Sequence, residues 1–329
     1  MMNRRHRRNS GLLLIIVLVL LAVVIYSGLQ ILESTVFYSG DVTEPTAASK
    51  TVTWEGVSYF PRQDITVIML LGIDQKGPVV ASDSYTNPGN ADMVALLIAN
   101  ETDQTITVLN LNRDTMMNIP VLGVGGRPAG TRYAQLTLAH NYGTGMEDSC
   151  ENTRDAVSGF LGGIRIDYYV SMNMDAIGLL NDAVGGVVVE VEDDFSKIDP
   201  TITKGQVRLN GEQALNFIQT RKDVGDQMNL SRMNRHREYM NGFLSAIREK
   251  METDSSFILQ EYGNISPYLV SDCSVNTLST LIDRYCDYEL LGIVTPEGEN
   301  VYSGEFMEFY VDREALTDLV ISLFYIPKN

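Results

Sequence analysis

ITVIMLLGI, residues Ile65–Ile73, is nine residues long without a charge, and it is closed by Asp74 and soon afterwards by the Gly77-Pro78 pair. A short unbroken apolar run bounded by turn residues predicts a strand buried on both faces, as in a sheet covered by helices. Working outward, residues 93–99 (MVALLIA) and Thr105–Leu111 (TITVLNL) flank a polar five-residue turn, which predicts a hairpin in the same sheet. Residues 166–172 (IDYYVSM) predict a further strand, followed by an amphipathic helix from about Asp175 that stops at Gly185 and Gly186. Val187–Val191 (VVVEV) is expected to return to the sheet. Strands alternating with helices predict an α/β fold, an α-β-α sandwich with a central mixed sheet.

Two later helices complete the pattern. One begins near Asn210, a good N-cap residue, with Ala214, Leu215, Phe217 and Ile218 on its apolar side. The other starts near Ser231 and runs to about Met251, with Met240, Phe243, Leu244 and Ile247 at helical spacing. Residues 306–311 (FMEFYV) and 313–326 (REALTDLVISLFYI) predict a closing strand and helix.

At the other end of the chain, Arg4, Arg5, Arg7 and Arg8 precede GLLLIIVLVLLAVVIY, residues 11–26, which holds no charge and no proline. Extended through residue 32 it approaches the roughly 20 residues that a spanning helix needs. Arginines on the near side put the N-terminus in the cytoplasm and the rest outside. No small-residue cleavage site follows, which favours an uncleaved anchor over a signal peptide. The expected division is a basic tail (1–10), a transmembrane anchor (11–32), an extracytoplasmic stalk (33–64) that ends in a short strand near residues 51–59, and one globular domain (65–329).

The 329 residues carry 25 Lys+Arg against 42 Asp+Glu, a net charge of −17. Without the four N-terminal arginines the outer part stands at −21. A general nucleic-acid binder needs the opposite sign, because neutralising phosphates with Lys and Arg supplies most of the non-specific affinity, so nucleic acid is excluded as a partner. The three cysteines, Cys150, Cys273 and Cys286, form no C-x-x-C pair and indicate neither a zinc site nor a redox motif. Spacing leaves a Cys273–Cys286 bridge open, with unreactive thiols the commoner outcome.

Asp74 follows one buried strand and Asp92 precedes another, so both carboxylates reach one end of the sheet if those strands are neighbours, where ligands of open α/β sheets gather. Two carboxylates there suit a hard cation such as Mg²⁺, which completes its shell with water and phosphate oxygens. An Asp in a turn also serves by accepting backbone N–H bonds. Arg113, next to Asp114, can form a local ion pair or offer a planar fork to phosphate. In so acidic a domain the basic run Arg221, Lys222, Arg232, Arg235, His236 and Arg237 stands out. Arg232, Arg235 and His236 at i, i+3 and i+4 are expected on one helix face near its N-terminus, where anions are favoured.

Taken together, GID (72–74), NAD (90–92), NRDT (112–115), IDYYVSMN (166–173), DAVGGV (182–187), LNGEQAL (209–215) and SRMNRHR (231–237) resemble, in order, the LytR-CpsA-Psr family, over roughly residue 65 to the C-terminus. The resemblance implies a cell-surface phosphotransferase that moves an anionic glycopolymer, such as teichoic acid or capsular polysaccharide, from a polyprenyl pyrophosphate carrier in the membrane to peptidoglycan. It implies an apolar pocket for the lipid tail and a pyrophosphate held by arginines with Mg²⁺ (or Mn²⁺). Carried over by position, Asp74 and Asp92 match the metal-site and catalytic acids and Arg113 the arginine on the pyrophosphate. Arg221 matches the second arginine of an R-x-R pair, and Arg232, with Arg235 three residues on, the arginine of the later helix. Three positions depart from the family's pattern. Asn90 stands where many members have arginine, Gln219 replaces the first arginine of the pair, and His236 sits where glutamine is common. These leave open a different donor lipid, lower activity, or a module that binds lipid or wall polymer without turnover. Separately, the same site with water as acceptor would make a polyprenyl pyrophosphate hydrolase.

Overall fold

The computed structural model describes residues 51–328 apart from 221–223, 225–234, 236–237, 240, 244, 248, 251–252, 255–256 and 286–287. The expected anchor at 11–32 lies outside the described residues, as do Arg221, Arg232, His236 and Cys286. Among the described residues no helix is long and apolar enough to cross a membrane.

The strand at Ile65–Ile73 (β3) is buried at all nine positions. It is the third of six strands in the order β11-β8-β3-β4-β5-β12, with β4 at Ala91–Asn100, β5 at Thr105–Leu111, β8 at Tyr168–Asn173, β11 at Leu269–Ser271 and β12 at Glu289–Val294. β3, β4 and β5 run antiparallel to their neighbours in that trio, whereas β8 lies parallel to β3 and β12 parallel to β5, so the sheet is mixed. Alternate side chains enter two separate cores. Ile68, Leu70, Leu97 and Val108 pack on one side with helices α2 (Ala176–Ala183), α3 (Gly211–Gln219), α4 (Phe257–Ile265) and α5 (Val275–Tyr285), and with Tyr239, Phe243 and Ile247. Val67, Met69, Leu96 and Leu109 pack on the other with α1 (Glu147–Phe160) and α6 (Arg313–Phe324). The expected α-β-α sandwich is therefore present. Each fully buried Leu, Ile, Phe or Met contributes roughly 1.5–3 kcal/mol over exposure, and that burial supplies most of the drive to assemble the layers.

Local signals act as the sequence predicts at α3. Asn210 Oδ1 accepts from the Gln213 N–H at 2.9 Å while Gln213 Oε1 accepts from the Asn210 N–H at 2.9 Å, a reciprocal capping box. Elsewhere the expectation fails. Val187–Val191 (β9) does not rejoin the central sheet. It pairs antiparallel with β10 (Gly205–Leu209) in a separate ribbon, because β11 already occupies the outer edge of β8 and β12 closes the other edge. The short strand expected near residues 51–59 is present, as a hairpin of β1 (Val52–Trp54) and β2 (Val57–Pro61), and it is joined to the C-terminus by β15 (Tyr325–Pro327), a pairing the sequence does not suggest. Ordered structure thus begins ahead of residue 65. Two antiparallel hairpins complete the fold, that of β6 (Met116–Leu122) with β7 (Pro128–Gln135) and that of β13 (Gly298–Tyr302) with β14 (Met307–Val311).

Candidate active site

β3 and β4 are neighbours, so Asp74 and Asp92 come to the same end of the sheet. Their pairing is irregular there. Gly72 opposes Met93, but Ile73 opposes Ala91, which leaves Asp92 as the extra residue of a β-bulge. Bulges re-aim side chains out of the strand's alternation and are common next to active sites. The Asn90 carbonyl fastens the two acids together by accepting the N–H of Asp74 and the N–H of Asp92, each at 3.0 Å.

Asp92 is only 2% exposed and forms an ion pair with Arg113, itself 7% exposed. The Thr137 hydroxyl donates to Asp92 Oδ1 at 3.1 Å. Arg113 also lies against the neighbouring carboxylate, with Nε 3.4 Å from Asp114 Oδ1, and Asp114 is held in turn by the Gln135 amide at 3.0 Å. The local ion pair expected for Arg113 is therefore present, and it extends to Asp92 as well as Asp114. The Asp92 contact is a charge pairing rather than an aligned hydrogen bond, because Arg113 Nη1 is buried and finds no acceptor in good geometry. A donor so held can turn to an anionic oxygen without a new charge having to be buried. Asp74 differs in being exposed.

Beneath the loop between the acids lies a buried polar knot. Asn87 Nδ2 donates to the His140 carbonyl at 2.8 Å, and its Oδ1 accepts the Gly89 N–H at 2.8 Å. Gly89 is packed so closely that a Cβ would stand 2.9 Å from both Ile73 Cγ2 and Asn87 Oδ1. The same applies to Gly143, where φ is +134° and a Cβ would lie 2.3 Å from Ser149 Oγ. Burial pulls the His140 imidazole down to about 4, against the hydrogen bond to the Gly89 carbonyl and the charge of Asp148, which both raise it. The ring is neutral in the folded protein at pH 7. Below about pH 6.5 the unfolded chain takes up a proton that the folded ring refuses, so stability falls as the pH drops toward 4, by up to about 3 kcal/mol. Melting curves of the wild type and His140→Asn between pH 7 and pH 4.5 are expected to converge for this reason; parallel curves would contradict it.

The acid loop leads to an apolar cavity. The Gln75 carbonyl accepts from the Met174 N–H at 3.2 Å, the Gly77 N–H donates to Asp175 Oδ2 at 2.6 Å, and the Val79 N–H donates to the Pro267 carbonyl at 2.8 Å. Pro267 lies between Ile265 and Leu269, which both line an apolar cavity open at its mouth. Leu70, Leu97, Val170, Phe243 and Leu281 complete its apolar wall. Leu70 stands four residues before Asp74 on β3, roughly 13 Å along the strand.

Of the remaining sequence candidates, Asn90 acts through its backbone as described, and Gln219 is the half-buried last residue of α3. Arg235 corrects the expectation of a pyrophosphate ligand on an open helix face. It is 5% exposed and spends its guanidinium on the fold: Nε donates to the Phe217 carbonyl at 3.0 Å, Nη2 to the Thr220 carbonyl at 2.5 Å, and Nη1 pairs with Asp193 at 2.6 Å, over the Phe195 ring. It closes the C-terminus of α3, whose last carbonyls have no helical partners. Cys273 is a buried free thiol. Asn87, Thr137 and His140 belong to the site without a sequence motif to announce them, although one histidine and one threonine set among the apolar residues of LTLAH (136–140) are a usable signal. Among the described residues no three His, Cys, Asp or Glu converge as a metal site.

A family model described as "LytR_cpsA_psr family" matches residues 34–320. Polyisoprenyl-teichoic acid–peptidoglycan teichoic acid transferase TagU of Enterococcus faecalis is 30% identical over 208 residues, 58% of this chain and 61% of that protein. TagU of Oceanobacillus iheyensis is 27% identical over 234 residues, 69% of this chain and 64% of that protein. The chain thus spans under two thirds of the length of these curated relatives. In structure it is similar to B. subtilis TagV (TM-score 0.56, 21% identity, 80% of this chain and 96% of that one) and to TagT bound to LI-WTA (TM-score 0.53, 23% identity, 79% and 90%), likenesses that establish the fold.

Proposed function

The chain belongs to the LytR-CpsA-Psr family, and from that premise we propose that it transfers an anionic, teichoic-acid-like glycopolymer from a polyprenyl pyrophosphate carrier to a peptidoglycan hydroxyl. The observation that carries this reading is the Asp92–Arg113 pair at strand ends, joined by one loop to an apolar cavity on the same sheet. An isoprenoid tail needs such a cavity and a pyrophosphate needs such an arginine.

In the reaction, the acceptor oxygen attacks the phosphorus that carries the polymer, and the P–O bond to the departing polyprenyl phosphate breaks. Catalysis of this kind rests chiefly on positioning and on positive charge at the developing oxyanions, which Arg113 supplies, with Arg221 and Arg232 assigned by position in the family pattern. Exposure favours Asp74 over Asp92 as the acceptor of the hydroxyl proton, since Asp92 is committed to Arg113 and Thr137. Asp74, and Asp92 if its carboxylate turns from Arg113, are oxygen donors of the kind Mg²⁺ or Mn²⁺ takes, one or two carboxylates with water and phosphate filling the rest, and would hold such an ion. Bound there, it would add charge neutralisation at the phosphate oxygens. An N-terminal anchor at 11–32 would keep the domain extracytoplasmic, beside the membrane in which the carrier resides.

The test is to incubate the full-length protein with a lipid pyrophosphate-linked glycan, Mg²⁺ and peptidoglycan. Polymer joined to peptidoglycan is expected, and soluble phosphoglycan without attachment would identify a hydrolase instead. Leu278→Trp, which fills the cavity from a half-buried wall position, is expected to raise the KM for the lipid donor at least about tenfold, the scale of a lost apolar subsite of a few methylenes. An unchanged KM would remove the cavity from the account.

A further inference from the structure

Two turns of 3-10 helix, Leu136–Asn141, reach both halves of the site. With three residues per turn, positions 137 and 140 fall one above the other on the same side of such a helix. Thr137 donates its hydroxyl to Asp92 Oδ1 at 3.1 Å and its backbone N–H to the Arg113 carbonyl at 2.9 Å. His140, 1% exposed, places Nδ1 2.9 Å from the Gly89 carbonyl. A carbonyl only accepts, so Nδ1 carries the proton and the neutral ring leaves Nε2 as an acceptor, 3.9 Å from Cys150 Sγ. Burial raises the Cys150 thiol and keeps it protonated, so it is a donor to that nitrogen. One residue beyond Gly89, the Asn90 carbonyl holds the backbone of both acids.

We propose that Thr137 and His140 are positioning residues for the Asp92–Arg113 pair, Thr137 through the Asp92 carboxylate and the Arg113 backbone, His140 through the Gly89–Asn90 peptide. The inference deepens the transferase reading and relies on it for its kinetic test alone. Removing the Thr137 hydroxyl frees the carboxylate to rotate within its pair, and removing the His140 donor frees the Gly89 carbonyl, one residue before the Asn90 carbonyl that ties the two acids together. Misplacement of reacting groups by about 1 Å costs up to about a hundredfold in rate.

Thr137→Val changes shape little and is expected to lower kcat about 10- to 100-fold, with the KM for the lipid donor within about threefold and the melting temperature nearly unchanged. Thr137→Ser restores the hydroxyl and most of the rate. His140→Asn keeps an N–H near the Nδ1 position and is expected to retain far more kcat than His140→Leu. In the full-length protein, ring ¹⁵N shifts of His140, assigned by their loss in His140→Asn, are expected to report the Nδ1–H tautomer at pH 7. An Nε2–H tautomer, an unchanged kcat in Thr137→Val, or a loss expressed in KM would overturn the proposal. Should the wild type turn over no lipid donor, the transferase reading falls while the tautomer still decides the His140 contact.

Discussion

Arg113→Ala is expected to abolish transfer while also weakening the fold. The variant leaves Asp92, 2% exposed, without its counter-charge. Breaking one side of a buried pair costs about 3–5 kcal/mol, because the remaining charge stays out of water. Loss of a positive group aimed at the reacting phosphate adds a rate penalty of about 10²–10³. Arg113→Lys separates the two effects, since it restores the charge without the planar fork; its stability is expected near wild type and its kcat well below it. Arg165 is the control. It pairs with Asp167 at 2.6 Å but is 66% exposed, and surface pairs are worth about 0–1 kcal/mol, so Arg165→Ala is expected to change neither melting nor turnover measurably. Equal melting temperatures for the two alanine variants would contradict the buried pairing.

The second large effect is structural. Arg235→Ala removes at one stroke the donor to two carbonyls closing α3, the partner of Asp193 and the cation over Phe195. The expected cost is about 3–5 kcal/mol, or roughly 10 °C in melting temperature for a domain of this size. At a temperature where the variant is still folded, its KM for the lipid donor is expected to stay near wild type. A raised KM with unchanged melting would return Arg235 to the pyrophosphate site that its spacing from Arg232 suggests. Helical spacing identifies which residues share a face, but not whether that face looks out or in, and here a half-buried Asp193 and two unfilled carbonyls turned it inward.

The same limit explains what the sequence discloses elsewhere. β3 announces itself because a strand covered on both faces leaves an uninterrupted apolar run, and α3 because Asn210 and Gln213 cap it by their own side chains. Asp74, Asp92 and Arg113 are legible as residues that end strands. Their assembly is not, since it depends on a bulge at Asp92, a 3-10 segment with no periodic pattern and hydrogen-bonded polar side chains buried beneath a loop. β9 misleads for a related reason: a VVVEV run forms a strand in any neighbourhood, and only the occupied edges of the central sheet exclude it.

That one continuous site joins the acid–arginine cluster to the apolar cavity is tested most directly by photoaffinity labelling of the full-length protein with a polyprenyl pyrophosphate bearing a diazirine in its tail. Labelled peptides are expected to contain Leu97, Val170 or Leu281, with labelling suppressed in both Leu278→Trp and Arg113→Ala. Labelling confined to other surfaces, or labelling of the cavity that ignores the loss of Arg113, would contradict the account.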